Sequence, residues 1–108
     1  MKWHRDLYSG ESIRQKQRRV KWKIMHNAGQ LRVYVITLAS NEKNLLDIIP
    51  SQELLQKHYP KQGLYVVGLA GSYNEALEVS GHIIHDVYHT TGGFDVRSYF
   101  GQRGKQGT

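Results

Sequence analysis

Polar and apolar residues alternate from Arg19 to Met25, with Val20, Trp22 and Ile24 on one side and Arg19, Lys21, Lys23 and Met25 on the other. A period of two predicts a half-buried strand. Asn27-Ala28-Gly29-Gln30 then offers Asn and Gly for positive φ, and the β-branched run Leu31–Ala39 predicts a second strand. Strand, short turn, strand reads as a β-hairpin. The rival is a helix over Ser12–Ala28 with Gly29 as its C-cap, since Ile13, Val20 and Ile24 lie roughly on one helical stripe. Trp22 falls off that stripe. The hairpin is therefore preferred, with room for a helical turn near Glu11–Gln17 before it.

Pro50 separates Asn44–Ile49 from Ser51–Tyr59 and forbids one uninterrupted helix. Ser51 is placed to cap a short helix through Gln52–His58, with Leu54 and Leu55 facing inward. A turn carrying Pro60 and Gly63 leads to a third predicted strand, Leu64–Ala70. The clearest helix follows. Ser72-Tyr73-Asn74-Glu75 is a capping box: Ser72 Oγ accepts the Glu75 N–H, and the Glu75 carboxylate returns to the Ser72 N–H. Ala76, Leu77, Ser80, Ile83, Ile84, Val87 and Tyr88 make a wide apolar stripe that Gly92-Gly93 ends. Phe94–Phe100 alternates again and predicts a fourth strand.

The expected order is ββαβαβ. Helices between strands two and three and between three and four imply parallel neighbours joined by right-handed crossovers, with both helices on one face. The fold class is thus α+β or α/β, a two-layer sandwich with a mixed four-stranded sheet. Residues 1–12 read as a tether, 13–100 as a single α/β domain, and 101–108 as a disordered, basic, Gly-rich tail. At 108 residues and 39% apolar composition the chain is long enough for one modest core and too ordered in its apolar runs for wholesale disorder.

Charge changes the picture. Residues 1–41 hold nine Lys or Arg against two acids, whereas residues 42–108 hold six against seven, so the whole net charge of +6 arises at the N-terminal end. Such asymmetry points to an acidic partner such as nucleic acid or an anionic surface, without identifying one. The chain has no cysteine, which removes disulfides, thiolate chemistry and Cys-based zinc sites and fits a reducing cytoplasm. No apolar leader is visible after Met1, and Val33–Ala39 and Leu64–Ala70 are too short to span a bilayer as helices. A bacterial cytoplasmic protein with no membrane attachment is expected.

If both helices cover one face, alternation assigns the other. Lys21 and Lys23 would lie there beside Arg32, Tyr34, Ile36 and Leu38, then Tyr65, Val67 and Leu69, then Asp95, Arg97 and Tyr99. Tyrosines that stack on unpaired bases, among cations that take phosphates, suit single-stranded nucleic acid. Arg14, Lys16, Arg18 and Arg19 would extend the phosphate track. The apolar members of that face equally predict burial, by the tether or by a second copy in a homodimer.

Catalytic signatures are lacking. His82, His85 and His89, with Glu78, fall on one side of the best helix at a spacing that could hold zinc or nickel, though a solvated polar face explains the same stripe. Gly68-Leu69-Ala70-Gly71-Ser72 joins a strand to a helix start, where backbone N–H groups can cradle phosphate, but it lacks the P-loop lysine. The expectation is a small basic module for nucleic acid or another acidic partner, with no enzymatic activity and no cofactor. A homodimerising interaction domain is the alternative, and a metal- or phosphate-binding protein the third reading.

Overall fold

The structure, a computed structural model, describes residues 1–26, 32–40, 43–56 and 59–102. Its elements run β1 (Lys2–Ser9), a 3-10 turn (Arg14–Lys16), α1 (Gln17–Met25), β2 (Tyr34–Leu38), β3 (Leu46–Pro50), α2 (Ser51–Leu54), β4 (Tyr65–Ala70), α3 (Tyr73–Thr91) and α4 (Val96–Tyr99). A mixed four-stranded sheet with helices results, an α+β architecture. Strand order is β1-β4-β2-β3, with β1 parallel to β4 and the other two pairings antiparallel. No helix among the described residues is long and apolar enough to cross a membrane.

The sheet is four-stranded and mixed as expected, but two of its strands come from elsewhere in the chain. Arg19–Met25 is helix α1, not a strand. Val20 and Ile24, four residues apart, share a face in a helix as well as in a strand, so only Trp22 distinguished the two, and it is 55% exposed. The expected turn at Asn27–Gln30 and the rival C-cap Gly29 lie outside the described residues. Lys2–Ser9 forms edge strand β1 instead of a tether. Trp3 and Leu7 pack on one side of the sheet and Tyr8 on the other, as strand alternation requires, while the pairing with β4 shifts register between Trp3 and Tyr8.

Leu46–Pro50 pairs with β2 as a hairpin strand, so no helix-long crossover joins β2 to a parallel neighbour. Ser51 does not cap α2. Its Oγ accepts the Val33 N–H at 3.2 Å, fixing the start of β2, and the expected end of that helix at His58 lies outside the described residues. Phe94–Phe100 is no strand either: the Asp95 carboxylate accepts the Ser98 N–H at 3.1 Å and caps α4. The observed order therefore replaces ββαβαβ. Of the expected tail 101–108, residues 103–108 lie outside the described residues.

Helices cover both faces, not one. On one side α3 and α4 bury Ala76, Val79, Ile83, Val87, Val96 and Phe100 against Ile36, Leu38, Val67 and Ala70. On the other, Ile13, Val20, Ile24 and Leu54 meet Val33, Val35, Ile49, Val66 and Leu69. Val67 and Leu69 fall on opposite faces because a bulge shifts the β4 register between Gly68 and Val66. Each fully buried Ile or Leu in these two cores contributes about 1.5–3 kcal/mol of transfer free energy. Helix α3 follows its sequence signals closely. Ser72 Oγ accepts the Glu75 N–H at 3.1 Å, and Gly92 ends the helix at φ 77°, where a side chain would be strained.

Candidate functional site

Four cations converge on one cleft. Lys16 closes the 3-10 turn, Arg19 and Lys23 follow one and two turns along α1, and Arg32 stands just before β2. With Ser12 and Gly71 they line a cleft of about 360 Å³ whose remaining wall is the buried Ile13, Val20 and Val33. Among the described residues no carboxylate forms an ion pair with any of the four. Cations gathered over a low-dielectric floor, none of them ion-paired with a carboxylate, create a positive potential that favours an anion.

An exposed aromatic pair adjoins them. Trp22 and His26 stack at 4.2 Å between ring centroids, 21° from parallel. At 100° per residue both fall next to the Arg19–Lys23 stripe, with Arg18 on their outer side. One helix thus offers a flat ring and several cations to the same volume of solvent.

The cleft is held in place by Glu75. Its carboxylate accepts Ser12 Oγ at 2.6 Å, the Gly71 N–H at 2.7 Å and the Ser12 N–H at 3.3 Å. These bonds, the Ser12 hydroxyl first, hold its carboxyl below the ordinary glutamate range despite some desolvation. The junction leaves no room for side chains: a Cβ on Gly10 would lie 2.1 Å from the Glu75 carboxylate, and one on Gly71 would lie 2.3 Å from Ser12 Oγ. The Glu75 carboxylate therefore returns to Gly71 and Ser12, not to Ser72. Its engagement of Gly71 also occupies the expected phosphate cradle at Gly68–Ser72 with the protein's own acid.

The other predicted residues are dispersed. Tyr34, on β2, stands 5.9 Å edge-on to Tyr73 of α3, and the Tyr65 hydroxyl meets His4 Nδ1 at 2.9 Å. Arg97, on α4, donates to the Ala39 carbonyl, while Tyr99 bonds Tyr8 at 2.9 Å. All four lie on the α3 side of the sheet, so the expected array of tyrosines between lysines does not exist. Lys21 turns back over the Trp3 ring at 5.4 Å, and Arg14 lines a different cleft. Arg18 stays exposed on α1.

That second cleft, of about 440 Å³, is lined by Leu7, Tyr8, Ser9, Arg14, Gln17, Val79, His82 and Asp86. Several of its polar groups bond within the protein. Tyr8 donates to Asp86 Oδ2 at 2.7 Å, and Gln17 donates to the Leu7 carbonyl and to Ser9 Oγ. Burial first, then the Tyr99 and Asp86 contacts, push the Tyr8 phenol far above its usual range, so it stays protonated and is poorly suited as a base. The cluster ties β1 to α3 and α4. His85 and His89 stand 4.1 Å apart, but among the described residues no three His, Asp or Glu side chains converge as metal ligands. His82, His85 and His89 are each exposed on α3.

Sequence reasoning missed the Trp22–His26 stack and the Glu75 node. The first was legible as an i, i+4 aromatic pair once a helix was assumed; the second joins residues 63 apart and left no local trace. No family model, curated protein or solved structure matches the chain.

Proposed function

We propose that the chain is a small, non-enzymatic binding module for nucleic acid. It would hold a single-stranded phosphodiester backbone along Lys16, Arg19, Lys23 and Arg32 while an unpaired base stacks on Trp22. The observation that carries this reading is the cleft in which four cations meet without an internal carboxylate partner. A structural role alone gives no reason to keep Arg19 and Lys23 one turn apart, since like charges at i, i+4 cost a helix about 0.2–0.5 kcal/mol. Phosphates would relieve that repulsion. Base stacking on an aromatic adds roughly 1–3 kcal/mol and tolerates any sequence, so affinity would come with little base specificity.

The test is fluorescence anisotropy of a labelled mixed-sequence oligonucleotide over a salt series. Four phosphate contacts on a single strand, at roughly 0.7 per contact, give a log–log slope near −3. Arg19→Glu with Lys23→Glu should weaken binding at least about 100-fold while leaving the fold intact, because Arg19 is exposed and Lys23 is only half-buried. In a Trp3→Phe background, Trp22 fluorescence should be quenched on binding. A salt-insensitive affinity, or an unchanged one in the double variant, contradicts the proposal. Binding of an acidic peptide in preference to the oligonucleotide would assign the cleft to a protein partner instead.

A further inference from the structure

Helix α3 carries more apolar surface than the sheet covers. Ala76, Val79, Ile83 and Val87 face the core, yet Tyr73, Leu77 and Tyr88 are 52%, 49% and 50% exposed along an adjacent stripe that includes half-buried Ile84. Phe94, 53% exposed, stacks on Tyr88 at 5.4 Å and widens the stripe at its end. On the same side of the sheet Leu46 and Ile48 of edge strand β3 are only partly covered. Contiguous apolar surface of this kind marks an interaction site more often than a bare exterior.

Its centre is a glycine that the fold does not need. A Cβ at Gly81 would meet nothing within 4 Å, so neither packing nor a turn requires its absence. Glycine in a helix interior lowers stability relative to alanine, and nothing inside this chain compensates. Close approach of another backbone would. Beside it, the buried Ser80 Oγ has no hydrogen-bond partner among the described residues.

The stripe is also its own reverse. About the midpoint between Ser80 and Gly81, Tyr73 mirrors Tyr88 and Leu77 mirrors Ile84. A two-fold axis at that midpoint would set two such helices antiparallel, each Tyr73 against the other copy's Tyr88 and each Leu77 against its Ile84. Self-complementarity about a two-fold is the mark of an isologous interface. From these observations we infer that the chain forms a homodimer in which the α3 helices pack antiparallel and cross at Gly81. Four half-exposed large side chains, at on the order of 100 Å² apiece, supply about 400 Å² of apolar core per copy. That is about half of the roughly 800 Å² per partner that a standard interface buries. This inference stands apart from the nucleic-acid reading, since α1 lies on the opposite face of the sheet.

Sedimentation equilibrium tests it. The wild-type chain should show twice its 12.5 kDa mass at micromolar concentration. Gly81→Leu fills only open space in the monomer, so it should keep or raise the monomer's melting temperature while weakening the dimer at least 100-fold. Leu77→Lys should weaken it comparably. A wild-type chain that stays monomeric at about 1 mM overturns the inference. So does a dimer that survives both variants, which would place the interface elsewhere.

Discussion

Helix α3 is specified at both ends, by the Ser72 cap and by left-handed Gly92, whereas α1 has no side-chain hydrogen bond at its start and no acid in its first turn. The 3-10 turn and α1 together carry six cations from Arg14 to Lys23, and Arg19 and Lys23 repel each other across one turn. Yet both helices bury fully inaccessible isoleucines, Ile83 on α3 and Ile24 on α1. Local signals build α3, and tertiary packing builds α1 against its own charge. A segment held in place at such a cost is a better candidate for function than one whose every residue serves the fold.

The largest test of this contrast is a pair of cavity variants. Ile83→Ala and Ile24→Ala should each cost about 2–5 kcal/mol in chemical denaturation. Ile24→Ala should in addition lower helical ellipticity and abolish oligonucleotide binding, since Val20 is the other residue of α1 buried in the core. If Ile24→Ala proves nearly neutral, α1 does not depend on its core contacts. Capping separates the helices at a smaller scale. Ser72→Ala should cost about 1 kcal/mol, while Lys16→Ala, at the corresponding position of α1, should change stability by less than about 0.5 kcal/mol. Equal costs would erase the distinction.

Smaller still, Arg19→Gln should raise stability by about 0.2–0.5 kcal/mol while lowering affinity for the oligonucleotide. Loss of both stability and binding would show that Arg19 has a partner in the fold. The mildest perturbation is pH. Burial, ahead of the opposing Asp6 charge, lowers the pKa of His4 from its ordinary 6.5, so the stability that its neutral form supports is present above that value and falls as the pH drops below it. Glu75, also lowered, contributes stability above its ordinary 4.5 that is lost as the pH falls through its depressed value. Melting temperature should therefore decline in two stages on acidification. His4→Gln should remove the upper stage and Glu75→Gln the lower; a wild-type curve flat from about pH 7 to about pH 5 contradicts the role given to His4.

Legibility in the sequence followed the same division. Where signals were local, residues declared their structure: the Ser72–Glu75 start, the Gly92 stop and the Leu64–Ala70 run all appear where they were expected. Where structure came from distant packing, the pattern misled. Val20 and Ile24 fit either period, and an exposed Trp22 was counted as core. His4 behaves as an apolar strand residue, packed 4.8 Å from Phe100, so β1 showed no period. Asp95 and Ser98 carried a capping signal within a stretch that also alternates. The cationic partners of the candidate site were visible from charge alone, but the tyrosines were assigned to it by reading Arg19–Met25 as a strand: that segment is α1 on the other face of the sheet, and α3 covers the face that Tyr34 and Tyr65 share.

Backbone amide shifts on adding an oligonucleotide pool bear most directly on the binding account. Perturbation should concentrate at Lys16–His26, Arg32, Val33 and Gly71, and it should fade as salt is raised. Shifts gathered instead around Tyr34, Tyr65 and Tyr99, or none at low salt, would contradict it.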